Sequence, residues 1–564
     1  KRSGEIIVDR NTILAFFLIA FVLILTPKYL ELFSPQRPEQ QGQTENADLP
    51  NDNRATDVFP SKTTPQKEAV LQPETTTFTN IEENLFTIEN ELYKLVLSSV
   101  NGGTFKSFSF KSYFDQDSHS VNLINSSISK NLTVGASKSS GSLIKLDTPW
   151  ESKGYFNGGF INRETTLDFF FPIPEGGFIK KSLTFFPNSY KISCSVDASN
   201  VPSGVLSDEL SFGWVGGLNP TEANIEDDQV YFNAYAYLGG EQENLKVKEG
   251  KPETLTYNGY VDWTAIRTKY FVVAILPEDP TSIRSVALSG SKDKEELYQT
   301  ILNFNTYKES VFELYVGPLE YNRINNLGRD LESIMDFGWS FIRPISKAVL
   351  YTLTEMHVYI PNYGFILIIF SVLIKLIVYP LTKKSYQSTS AMQKIQPELA
   401  TIRDKYKNNP QKLNQAQMQL YKKKGVNPLG GCLPMLIQMP LLFALFVVFR
   451  TTIELRAEPF IWWIKDLSTP DAVLSLPFHI PIYGSHVAIL PIFMVVSMFI
   501  QQRMMSGGAM QQPQQKTMQY FMTAFFFLMF NSFPSGLNLY YTLFNVLTIL
   551  QQKLIPNTDS VEKV

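Results

Sequence analysis

The sequence predicts an α-helical membrane protein with an all-β domain set between an N-terminal anchor helix and a five-helix core. Three observations carry that prediction. The C-terminal part holds five apolar stretches, the central part alternates apolar and polar residues with period two, and a polar segment separates that part from a first apolar run. Composition agrees, since only 18% of the 564 residues are charged and 13% are aromatic. A net charge of −3 argues against a bulk-basic nucleic-acid binder. Two cysteines, Cys194 and Cys432, are too few for a disulfide scaffold, and they are expected to lie at different depths without a bridge. Four scattered histidines give no metal-ligand spacing, so no metal, cofactor or catalytic group is expected.

Residues 1–33 are read as the anchor. Ile13–Leu25 is unbroken apolar sequence preceded by Lys1, Arg2 and Arg10. A signal peptide shares those features, but Pro27, Lys28 and Tyr29 stand where a small-residue cleavage site would be, which favours an uncleaved helix. The basic flank puts the N-terminus in the cytoplasm. Residues 34–77 are rich in Pro, Gln, Thr, Asn, Glu and Asp, so they are read as a disordered linker on the far side of the membrane.

Residues 78–325 read as a β-sandwich. Tyr190, Ile192, Cys194 and Val196 alternate with polar neighbours, and Pro187-Asn188-Ser189 joins them to the run Phe178–Phe186 as a hairpin. Residues 326–360 connect this domain to the core. Within them Phe341, Ile345, Val349, Thr352 and Met356 share a helical face, which reads either as an interfacial helix or as an ordinary core helix.

Residues 361–555 form the core. Tyr363–Pro380 and Leu429–Phe449 are clear spans, while Val487–Gln501, Met518–Phe530 and Leu537–Leu550 fall short of the ~20 residues a full crossing needs. Short spans imply a locally thinned bilayer. Ten Lys/Arg against two acids between Lys383 and Gly430 put that loop in the cytoplasm. Two basic and four acidic residues between Ile453 and His486 put the next loop outside, so both termini, including the 556–564 tail, are cytoplasmic. The cytoplasmic segment 383–428 reads as a helical hairpin kinked at Pro397, with an apolar stripe through Met392, Ile395, Leu399, Ile402 and Tyr406. Its basic faces fit either a passive connector or a docking surface for ribosomes, nascent chains or anionic lipid.

The candidate site lies inside the membrane. A lysine at a span's centre costs roughly 2.5–3.5 kcal/mol on insertion scales, and Lys375 is such a lysine. Snorkelling of its stem is the bland alternative. Ser371 lies one turn before it, and Asn538, Tyr541, Thr542, Asn545, Thr548 and Gln552 share one face of the last span; Gln438 adds a polar atom from the third. A long polar stripe with one cation fits a hydrated groove. Two rivals share these residues: a Ser371–Lys375 hydrolase dyad, which needs a dry site and an oxyanion hole, and a secondary transporter, which usually shows internal repeats.

The segment Asn427-Pro428-Leu429-Gly430-Gly431-Cys432-Leu433-Pro434, followed by Gln438-Met439-Pro440, closely resembles the signature of the YidC family of membrane protein insertases. Tyr379-Pro380-Leu381-Thr382, Asp336-Phe337-Gly338-Trp339 and Phe533-Pro534-Ser535-Gly536 resemble it too, in order along the chain. The resemblance implies the Gram-negative bacterial form, an inner-membrane protein whose periplasmic domain is a β-supersandwich. It implies a charged groove open to the cytoplasm and lipid, with nascent membrane proteins as substrates. A client helix would pass Met439 and Pro440, and the Sec translocon and ribosome would be partners. The family normally carries an arginine where this chain has Lys375, so charge is retained and the bidentate guanidinium fork is lost.

Overall fold

The computed structural model describes residues 62–63, 81–115, 117–153, 158–407, 409–426, 433–481, 483–505 and 513–554. The expected anchor, most of the linker, the Asn427–Cys432 motif with its cysteine, and the C-terminal tail lie outside the described residues.

Alternation of buried and exposed residues builds the β-domain. Strands Phe178–Phe185 and Lys191–Asp197 pair antiparallel with Leu183 opposite Cys194, and Asn188 at φ 50° makes the turn between them. Ile192, Cys194 and Val196 are buried, as period two requires. Six-, nine- and five-stranded sheets result, and they enclose Trp150, Trp214 and Trp263. Lys181 also points inward. Its ammonium donates to the carbonyls of Asn101 (3.0 Å), Gly103 (3.3 Å) and Leu132 (2.5 Å). Burial still pulls its pKa down to about 8.

Eight helices of the C-terminal part are labelled in chain order: α1 Arg343–Tyr359, α2 Tyr363–Lys394, α3 Gln396–Lys405, α4 Pro410–Lys424, α5 Leu433–Thr451, α6 Leu490–Met505, α7 Pro513–Phe530 and α8 Ser535–Leu554. Among the described residues one helix segment, Tyr363–Lys383, is long and apolar enough to cross a membrane by length and composition. Helix α8 packs on α6 and α2, and α1 packs on α5.

Four sequence expectations change. The buried face of α1 is Ser346, Val349, Leu350 and Leu353, while Phe341 is exposed. Ser346 is fully buried, so the seam lies about a quarter turn from the expected stripe. Pro380 does not end the span, since α2 runs on to Lys394. The break comes at Ile395, and Pro397 opens α3 where its missing N–H costs nothing. Helix α6 starts at Leu490, and Val487 belongs to a strand. The loop between α5 and α6, expected only as an outside loop, contains a β-hairpin of Ala472–Ile480 and Gly484–Ala488.

The pair α3–α4 closes on the expected stripe. Ile395, Leu399 and Leu420 are buried together, with Met392 and Ile402 against them. Lys424 and Glu398 join the two arms at 2.6 Å.

Candidate functional site

Lys375 sits on α2 where that helix packs against α8, and only 8% of the residue is exposed. Its ammonium donates to the Thr548 hydroxyl and stands 3.6 Å from the centroid of the Phe544 ring. Thr548 in turn donates to the Phe544 carbonyl at 2.6 Å. The four-residue spacing of Phe544 and Thr548 puts ring and hydroxyl on one face of α8, so a single helix supplies both partners. Helices α2, α5, α6, α7 and α8 contain no Asp or Glu. The ammonium therefore has no carboxylate on any of these helices, and a π face and a hydroxyl stand in for one.

The remaining polar residues divide among several walls. Asn545 donates to Ser497 Oγ at 3.2 Å, tying α8 to α6. Asn538 is fully buried at the start of α8, where it donates to the carbonyls of Phe530 (3.1 Å) and Phe533 (3.4 Å). Thr542 donates to the Asn538 carbonyl at 2.8 Å. Ser371 is fully buried and donates to the Leu367 carbonyl at 2.7 Å, a bond within its own helix. Its proton and the Lys375 amine are thus engaged with different partners, an arrangement unlike a nucleophile–base pair.

Gln438, Tyr540 and Tyr541 form a second polar group where α5 meets α8. The amide of Gln438 reaches both hydroxyls, yet Gln438 Nε2, Tyr540 Oη and Tyr541 Oη are buried without a well-formed hydrogen bond. Such atoms cost about 1–3 kcal/mol each when unsatisfied, so this wall suits a bound water or a polar guest. Met439 and Pro440 are half-buried on the same helix, with Pro440 inside α5. Proline removes one backbone hydrogen bond there and leaves a carbonyl free.

Sequence reading named Thr548 only as part of a polar face and passed over Phe544, because an apolar ring carries no mark of a cation's seat. It also missed the joint between the β-domain and α5. Arg450, at the end of α5, donates to Asp227 of the short helix Ile225–Gln229 at 2.6 Å, and Lys269 joins the same carboxylate at 2.7 Å. Burial works to raise the Asp227 carboxyl, but Lys269 and Arg450 outweigh it and hold the group below the usual range. Arg456 completes the joint with Glu222 at 2.8 Å and the Phe114 carbonyl at 2.9 Å. Arg450 closing an apolar run was the available signal.

Comparison with known proteins follows the division into two parts. A family model described as the YidC periplasmic domain matches residues 85–348, and one described as the 60Kd inner membrane protein matches residues 355–562. A relative from Chlorobium luteolum, named membrane protein insertase YidC, is 36% identical over 574 residues, covering 98% of this chain and 96% of its own. A protein of the same name from Prosthecochloris aestuarii is 36% identical over 580 residues, with the same coverage of both chains. A solved structure titled as an active YidC insertase with its first transmembrane domain resolved is 17% identical. It covers 85% of this chain and 94% of that one, at a TM-score of 0.36, too low to support a comparison of folds.

Proposed function

This chain belongs to the YidC family of membrane protein insertases, an inner-membrane family with a periplasmic domain, and on that premise we propose how its core admits a substrate. The observation that carries the proposal is Lys375, a buried ammonium in the apolar middle of α2, on helices that contain no carboxylate. The polar leading segment of a nascent membrane protein enters from the cytoplasm between α2 and α8 toward Lys375, with Thr542 beside its path and the buried Ser371, Asn545 and Asn538 in the walls behind it. An acidic residue in that segment replaces Phe544 and Thr548 as the partner of the ammonium. Meeting polar side chains partway across lowers the desolvation that otherwise blocks translocation. The client's apolar helix moves past Met439, Pro440, Gln438 and Tyr541 into lipid. Burial there contributes about 25 cal/mol per Å² of apolar area. A membrane potential positive outside adds roughly 2.3 kcal/mol per acidic charge per 100 mV.

No bond chemistry is required of the site, and Ser371 serves the helix rather than a reaction. The other reading, a secondary transporter using the same polar residues, finds no support among the relatives. Both termini lie in the cytoplasm in this proposal, and the basic hairpin α3–α4 faces the ribosome. The chain acts alone or beside the Sec translocon.

Crosslinking tests the route. A photoreactive residue at Tyr541 or Met439 is expected to capture a stalled single-span nascent chain, while one at Asp293 on the β-domain is not. Equal capture at all three positions, or capture at Asp293 alone, would contradict the route.

A further inference from the structure

The hairpin 472–488 between α5 and α6 has a composition that water does not suit. From Ala472 to Ala488 it contains no Asp, Glu, Lys or Arg. Strand Ala472–Ile480 is exposed along nearly its whole length, with Val473 at 48%, Leu474 at 59% and Phe478 at 60%. Ala472, Val473, Leu474 and Ser475 are exposed in a row, across an irregularity in the ladder at Val473, so the protein covers neither face of this strand. A protein partner laid on a two-stranded ribbon covers one face, whereas a fluid apolar medium covers both.

The hairpin is also held rigidly at the height where two spans end. Asp471 Oδ2 accepts the N–H groups of Ile489 (3.1 Å) and Leu490 (2.8 Å) at the start of α6, and the indole N–H of Trp463 (2.9 Å). Asn531, in the turn between α7 and α8, donates to the carbonyls of Tyr483 (2.8 Å) and His486 (2.7 Å) and accepts from the Ala488 N–H (2.9 Å). Trp462 is 84% exposed and stacks on Trp463 with ring centroids 5.7 Å apart. One carboxylate thus fixes a tryptophan pair, the base of the ribbon and the end of a span as a single body. Tryptophan is favoured where headgroups meet acyl chains, and an uncharged exposed ribbon in water would be an aggregation hazard.

We propose that the ribbon 472–488 and the Trp462–Trp463 pair are immersed in the outer leaflet, with phospholipid at the headgroup–acyl boundary as their partner. The immersion anchors the α5–α6 connection and so sets the depth of the short helices α6 and α7. This inference rests on the chain being a membrane protein, and its test reads location alone, so its failure leaves the insertase reading standing.

The test uses the full chain with Cys432→Ala, carrying Phe478→Cys, Val473→Cys or Asp293→Cys labelled with an environment-sensitive fluorophore. Each protein is reconstituted into phosphatidylethanolamine–phosphatidylglycerol vesicles, with spin-labelled lipid or aqueous iodide as quencher. All three positions are exposed, so the substitutions leave the core intact. Spin-labelled lipid is expected to quench the labels at 478 and 473 several-fold more than the label at 293, and iodide the reverse. Iodide quenching at 478 equal to that at 293 would overturn immersion. So would lipid quenching at only one of 473 and 478, or protection that appears only as protein density rises and so reports a second copy.

Discussion

Lys375 and Phe544 face each other across the α2–α8 interface, with the ammonium 3.6 Å from the ring centroid and Thr548 accepting its hydrogen bond. A desolvated cation over an aromatic face gains about 2 kcal/mol or more, comparable to the roughly 1.5–3 kcal/mol net of a hydrogen bond to a charged group, so an arriving carboxylate competes with it on near-equal terms. The pairing therefore acts as a resting seat that an acidic client segment can displace. Phe544→Leu with Thr548→Val should speed insertion of acidic-tailed clients by up to roughly thirtyfold, since about 2 kcal/mol of competition is removed, with folding checked by thermal unfolding. A loss of insertion matching that of Lys375→Ala would show the pair to be part of the working state instead.

Asp227→Ala should loosen the joint between the β-domain and α5. It leaves Arg450 and Lys269 side by side without their shared carboxylate. Lys269 is buried while Asp227 and Arg450 are partly exposed, so a cost of roughly 1–3 kcal/mol is expected. Limited proteolysis around residues 222–231 should accelerate about tenfold, and Asp227→Glu should restore part of the protection. Unchanged proteolysis would mean the pairs contribute nothing net.

Glu454 supplies a pH signature beside that joint. It lies just past α5, its Oε2 buried without a partner, and burial pushes its pKa up to about 7. Backbone N–H groups, including that of Tyr321, oppose the rise, while the charge of Glu320 adds to it. An unfolded glutamate releases its proton near 4.5, so between there and about 7 the folded state holds more protons. Stability conferred at low pH is therefore lost as pH rises through that window, by roughly 1–3 kcal/mol. Thermal unfolding should show this slope, and Glu454→Gln should flatten it. A slope unchanged in the Gln variant would assign it to another group.

Ser371→Ala should retain most insertion activity. The hydroxyl's bond to Leu367 adds little to a helix already bonded along its backbone, and its loss leaves no buried donor behind. Reconstituted insertion measured beside the unsubstituted protein checks this. A near-complete loss, with folding intact, would revive the serine–lysine dyad.

Local rules make much of this fold legible in the sequence. Period two found the Phe178–Asp197 hairpin, and the central charge singled out Lys375. What sequence hid was mostly determined by partners distant in the chain. The ribbon 472–488 looked like a loop because Pro477 and Pro481 interrupt its alternation, and the asparagine that holds it, Asn531, lies beyond α6 and α7. The start of α6 depended on the capping carboxylate of Asp471, itself separated from the helix by the whole ribbon. In the candidate site the polar face of α8 was visible. How its members divide between α2, α6 and the α7–α8 turn was not, because helical spacing gives a direction and not a neighbour.

The electrostatic claim is tested most directly by exchanging one charge and changing one client. Lys375→Arg and Lys375→Glu variants would be compared for insertion of two clients that differ only in an acidic or neutral translocated tail. The account predicts that the arginine variant inserts both normally. It predicts that the glutamate variant loses the acidic-tailed client by tenfold or more, relative to the neutral one. Equal activity of the glutamate variant on both clients would contradict a role for the Lys375 charge in drawing the substrate into the core.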